Sequence, residues 1–81
     1  MRIDKFLKNS RLIKRRTVAK EAADAGRVSI NGKTAKAGDE IKVGDIIEIR
    51  FGQSHLKAEI ISTPAVATKE NAADMYKIIE T

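Results

Sequence analysis

Along the chain, apolar and polar positions keep a helical rhythm first and a strand rhythm later. Ile3, Phe6 and Leu7 fall at i, i+3 and i+4, which predicts a short helix over residues 2–8 with one buried face. Arg2, Lys5 and Lys8 occupy its other sides, toward water or a ligand. Asn9 and Ser10 end that turn, and Leu12 and Ile13 are expected to tuck under the first helix. Val18, Ala19, Ala22 and Ala23 mark the buried stripe of a second helix, from about Arg15 to Ala25. Its small side chains allow a neighbouring element to approach closely. Gly26 follows the last periodic residue, where a left-handed cap costs glycine least.

The period then shortens to two. Val28 and Ile30 alternate with Ser29, and Asn31-Gly32 is the favoured pair for a two-residue type I′ turn, so residues 28–35 predict a hairpin. Gly38-Asp39 and Gly44-Asp45 are turn signals on either side of a short Ile41/Val43 segment. A strand over Ile46–Phe51 would place Ile47, Ile49 and Phe51 on one face, and residues 56–62 predict another strand after a Gly-Gln-Ser turn. Pro64 ends it, and a loop is expected over 64–68. From Thr68, a candidate cap, the spacing of Ala72, Met75, Tyr76 and Ile79 predicts a closing helix. Two helices, a small, mostly antiparallel sheet and a C-terminal helix make an α+β fold. The expected division is a domain over residues 1–62, with a loop and helix over 63–81 packed on it.

At 81 residues the chain is expected to form one domain with a thin core and little room for an enclosed pocket. Cysteine is absent, which excludes disulfides and thiolate metal sites. The first ten residues lack the apolar run of a secretory signal, and the longest apolar stretches fall far short of a membrane span. A cytoplasmic monomer without a membrane partner is expected.

Charge changes the picture more than composition does. The net charge is +5, but residues 1–20 hold eight cations against the single anion Asp4, a net of +7. The remaining residues hold eight cations and ten anions, a net of −2. A basic segment of this kind is the electrostatic footprint of a nucleic-acid binder, with a membrane surface or plain solvation as the alternatives. Arg2, Lys5, Lys8, Arg11, Lys14, Arg15, Arg16 and Lys20 are therefore the candidate RNA-binding residues. Arg15 and Arg16 stand at a helix start, where the dipole disfavours cations. A local conflict of that sort is expected at a functional site. Arg27 and Lys33 flank the predicted hairpin and could extend the charged surface.

Catalysis finds little support. His55, the only histidine, stands beside Ser54 with no third group to orient it, and no cysteine is present as nucleophile. Asp39, Glu40 and Asp45 sit at turns after glycines, where Asp serves turn geometry rather than a metal. No cofactor or metal is expected. The few aromatics, Phe6, Phe51 and Tyr76, make charge and shape recognition of folded RNA more natural than base stacking. A helix-turn-helix DNA binder is a rival reading, weakened by the hairpin that directly follows the second helix.

Several motifs together resemble the S4 RNA-binding domain family over roughly residues 1–51. They are Arg2-Ile3-Asp4-Lys5-Phe6-Leu7, then Arg16 with Ala19, then the Gly26, Val28, Ile30, Asn31-Gly32 hairpin, then Lys42, Gly44, Asp45 and Ile47. Arg15 stands where the family usually has a serine, which exchanges a helix cap for charge. The segments "RLIKRR" and "ENAADMYKI" are similar to stand-alone bacterial members of ribosome-associated quality control and, beyond them, to heat-shock members. The resemblance implies the S4 fold and a ribosome-associated factor. Its implied partners are ribosomal RNA of the large subunit, an obstructed P-site peptidyl-tRNA and the RqcH tailing factor, in support of alanine tailing of the stalled chain. A general structured-RNA module, or a heat-shock-type large-subunit recycling factor, is the alternative within the family.

Overall fold

The computed structural model describes residues 1–64, 68 and 70–80. Helix α1 spans Ile3–Asn9 and helix α2 spans Arg16–Asp24. The strands are β1 (Val28–Ile30), β2 (Lys33–Thr34), β3 (Ile46–Phe51), β4 (Ser54–Ile60) and β5 (Tyr76–Glu80). They form one antiparallel sheet in the order β2-β1-β3-β4-β5. The expected α+β arrangement of two helices on an antiparallel sheet is what the chain adopts. Among the described residues no helix is long and apolar enough to cross a membrane.

The core lies between helices and sheet. Ile3, Phe6 and Leu7 of α1 are fully buried, as is the Ala19/Ala23 rail of α2. They meet Val28, Ile47, Ile49, Ala58 and Ile60 from the sheet, with Ile13, Ala37 and Ile41 closing the gaps. Each fully buried large side chain contributes about 1.5–3 kcal/mol. The stripe of α2 is narrower than expected: Ala22 is half-buried and Val18 is 45% exposed. Ala19 and Ala23, four apart, stack on the buried face, with Ala22 packed at its edge.

Asn31 and Gly32 both take positive φ, +52° and +84°, the backbone a type I′ turn demands. The Asn31 side chain does more than turn the chain. Its Oδ1 accepts from the Ile46 N–H (2.9 Å), and its Nδ2 donates to Asp45 Oδ1 (3.1 Å). Asp45 in turn accepts from the Lys42 N–H through Oδ2 at 3.0 Å. One amide and one buried carboxylate thus join the hairpin to the turn before β3 and set the β1–β3 register.

Two expectations on the sheet are corrected. Strand β4 begins at Ser54, two residues early, because a tight turn at Gly52 (φ +60°) and Gln53 pairs Phe51 directly with Ser54. Phe51 is 47% exposed, although it alternates in step with Ile47 and Ile49. The ladder between β1 and β3 stops at the Val28–Ile49 pair, so the β3–β4 hairpin runs on past its neighbour.

The expected C-terminal helix is a single 3-10 turn, Ala72–Met75, followed by strand β5. Thr68 is not its cap: Asn71 holds the cap position without a side-chain cap bond, and Thr68 and Asn71 instead exchange side-chain and backbone hydrogen bonds at 2.8 and 3.3 Å in the turn before it. Ala72 and Met75 are both buried, which the three-residue period of a 3-10 turn satisfies as well as an α-helix does. Beyond them the β-branched Ile78 and Ile79 favour extended backbone. Strand β4 offers an open edge, with Ala58 opposite Ile78 and Ile60 opposite Tyr76. Residues 76–80 therefore complete the sheet of the first domain rather than pack on it as a helix. The loop expected over 64–68 lies largely outside the described residues, as does Thr81.

Candidate nucleic-acid interface

Arg2 is placed by its backbone. Ile3 N–H donates to the Asp39 carbonyl (2.8 Å), Ile41 N–H donates to the Met1 carbonyl (2.8 Å), and Arg2 forms an isolated bridge with Glu40. The Arg2 guanidinium consequently lies over the Gly38 turn, with Nη2 3.8 Å from where a Cβ would stand.

Asp4, in the first turn of α1, has a side chain only 3% exposed. Its Oδ2 accepts from Arg2 Nη2 at 3.2 Å and from Arg16 Nε at 3.4 Å. Its Oδ1 accepts from the Lys5 N–H at 2.8 Å. The two arginines come from positions fourteen residues apart in the chain and meet on one buried oxygen. About half of each guanidinium side chain remains exposed, 48% for Arg2 and 49% for Arg16. Their remaining N–H donors are available to a bidentate acceptor such as a phosphate.

This contact also resolves the conflict at the start of α2. Arg15 is the cap residue and makes no side-chain cap bond, as its replacement of a serine implies. Arg16, the first helical residue, has its charge drawn to Asp4 instead of standing uncompensated on the positive end of the dipole. Lys20 follows Arg16 by one turn on the same face and is exposed.

The other cations gather at the far end of α1. Lys8, Arg11 and Lys14, with Asn9, line a surface hollow of about 390 Å³. Lys8 sits in the last turn of α1, where the dipole favours a cation. Arg11 has φ +63°, a left-handed position normally given to glycine after a helix. Its N–H bonds the Lys8 carbonyl (3.0 Å), and the Ile13 N–H bonds the Leu7 carbonyl (3.1 Å), which folds Leu12 and Ile13 back under α1. An arginine held there costs about 1–2 kcal/mol, and strain of this kind clusters at functional sites. Asn9 Nδ2 is buried at the wall of the hollow without a partner.

The structure thus brings Arg2 and Arg16 together directly, groups Lys8, Arg11 and Lys14 around one hollow, and leaves Lys5 half-buried beside Asp4. Sequence reasoning missed the part of Asp4, which had counted only as the lone anion of a basic segment. Its position inside the Arg-Ile-Asp-Lys-Phe-Leu motif was the available signal. Among the described residues no group of three or more acidic or histidine side chains could hold a metal ion.

A family model of the S4 domain matches residues 1–47. The chain is 54% identical over 80 residues to a Bacillus subtilis protein named RQC P-site tRNA stabilizing factor, covering 99% of this chain and 93% of that one. A Streptococcus pneumoniae protein of the same name is 53% identical over 79 residues, 98% and 90% of the two chains. The solved trimeric Heat Shock Protein 15 of Vibrio cholerae superposes with a TM-score of 0.88 at 26% identity, covering 96% of this chain and 80% of that one.

Proposed function

Because the chain belongs to the S4 domain family, we propose that it binds structured RNA through the α1–α2 face as a factor of ribosome-associated quality control. In this reading it is a binding protein and not an enzyme. It holds the P-site tRNA on large ribosomal subunits that carry an obstructed peptidyl-tRNA, with one side against ribosomal RNA. The RqcH tailing factor would then add alanine to the stalled chain. The relatives named for P-site tRNA stabilisation support this reading, because they match over nearly the full chain.

The observation that carries it is the shared Asp4 carboxylate, which sets two half-exposed guanidinia side by side. A fixed pair of forks suits two phosphates on facing RNA backbones, the geometry of a factor wedged between two RNAs. Electrostatic attraction by the remaining cations supplies affinity that falls with salt.

The test is recovery of the tagged full chain from lysate, with sedimentation and sequencing of the bound RNA. Free large subunits enriched together with peptidyl-tRNA are the expected result, reduced when Arg16→Ala replaces the native chain. Large subunits without peptidyl-tRNA would favour the heat-shock-type recycling role, which the likeness to Heat Shock Protein 15 supports. Unrelated RNA would leave only a general structured-RNA module.

A further inference from the structure

The outer face of the sheet, away from both helices, carries a second arrangement that the basic helical face does not account for. Arg50 and His55 stand directly opposite each other on β3 and β4. Side chains so placed lie about 4.5–5.5 Å apart at Cβ and share a face. With Glu48, the turn residues Gly52 and Gln53, and Ser54 at the start of β4, they line a hollow of about 360 Å³. Its two flat side chains are well exposed, Arg50 at 69% and His55 at 42%. The His55 ring is oriented by a 2.8 Å contact between Nε2 and Glu80 Oε1 from β5. That contact, reinforced by charge on His55 and on Lys57, holds the Glu80 carboxyl below its ordinary 4.5.

The chemistry of this hollow differs from that of the helical face. Glu48 lies 3.9 Å from Arg50, and Glu80 faces His55, so charge nearly cancels there. A phosphate gains little from such a site. A flat, uncharged ligand with hydrogen-bonding edges gains more. Guanidinium and imidazole planes are surfaces on which an unstacked base can lie. Gln53 offers a donor and an acceptor, and Glu48 an acceptor for an exocyclic amino group. Arg27 follows α2, is exposed, and accepts the Arg50 N–H on its carbonyl at 2.9 Å, so the backbone after α2 runs beside β3 at this hairpin.

Resting on the RNA-binding reading above, we infer that the β3–β4 hairpin hollow binds one unpaired, amino-bearing nucleobase, stacked on Arg50 and His55. Arg16 starts α2 and Arg27 follows its end. Nine helical residues at 1.5 Å each therefore set the two contacts roughly 13 Å or more apart. A bound RNA would be gripped as a helix at one end of α2 and read at a splayed nucleotide near the other.

The experiment compares two hairpin RNAs that differ only by a single bulged 2-aminopurine, titrated into the full chain. The bulged RNA should bind about five- to a hundredfold more tightly, the range that stacking of one base supports, with its fluorescence quenched. The Arg50→Ala/His55→Ala variant should lose that preference and the quenching while keeping its affinity for the paired RNA within about twofold. Arg16→Ala should weaken both RNAs and keep the preference. A native chain without the preference, or a double variant that retains it, overturns the base site while leaving the helical face as the RNA surface. Failure of both RNAs to bind would remove the RNA reading together with the site.

Discussion

Arg2 and Arg16 share one buried carboxylate, whereas Lys8, Arg11 and Lys14 ring a hollow with no acid in its wall. Both groups lie within the same basic twenty residues, yet they are held in different ways. The first pair has already lost much of its conformational freedom before RNA arrives. The second group keeps its long side chains loose, apart from the fixed backbone of Arg11. Ordering a rotamer-rich side chain on binding costs about 0.5–1.5 kcal/mol, so in the proposed RNA contact the tied pair would deliver its hydrogen bonds at less cost. In the same proposed contact the loose group would attract at a distance and tolerate many backbone shapes. Charge counts alone treat all eight cations as equal, and the structure shows that they are not.

The strongest way to break the comparison is Arg16→Ala. A charge-assisted hydrogen-bonding group contributes about 1.5–3 kcal/mol, so RNA affinity should fall by roughly ten- to a hundredfold, measured by equilibrium binding. The salt dependence should flatten by about 0.7–0.9 for each lost phosphate contact. Next in size, and most telling, is Asp4→Asn. It raises the net charge by one, which by attraction alone would strengthen RNA binding. Loss of the tether should instead weaken binding by about fivefold. It should also lower unfolding stability by about 1–2 kcal/mol in denaturant, less than the cost of splitting a fully buried pair because the arginines are half exposed. Tighter binding by that variant would show that the two arginines need no tether.

Smaller effects are expected in the hollow. Lys8→Ala and Lys14→Ala should each weaken binding by about two- to threefold, lost mainly from the association rate and absent at high salt. Smallest in binding, Arg11→Gly should remove one cation but relieve the left-handed backbone. Stability should rise by about 0.5–1 kcal/mol, which in a chain of this size raises the Tm by about 2–8 °C. A fall in Tm would mean that the arginine side chain contributes packing that outweighs its strain.

The two regions also differ in how far they could be read in advance. From Ile3 to Phe51 each element carries its own local signal: helical spacing in α1, Gly26 after α2, Asn31-Gly32 between β1 and β2, alternation in β3. Residues 72–80 carry signals that fit two structures. Ala72 and Met75 satisfy a 3-10 turn or a helix, and the strand that follows is chosen by the open edge of β4, which the tail itself does not encode. The cations of the site were visible as charge. The Asp4 tether was not, because it joins residues 4 and 16 through the tertiary fold. Nor was the left-handed Arg11, since nothing in an arginine announces positive φ.

The side-chain bonds of Asn31 bear on how the protein ages. An asparagine followed by glycine is prone to deamidate, because the glycine nitrogen can attack the side-chain carbonyl and form a cyclic imide. Here that carbonyl accepts from Ile46 and the amide donates to Asp45, so the group is restrained from both ends. Conversion to aspartate would set two carboxylates face to face across that contact. The bonds that align the hairpin therefore also act as chemical protection, and a chain whose hairpin frays should accumulate the damaged form faster than one that stays folded.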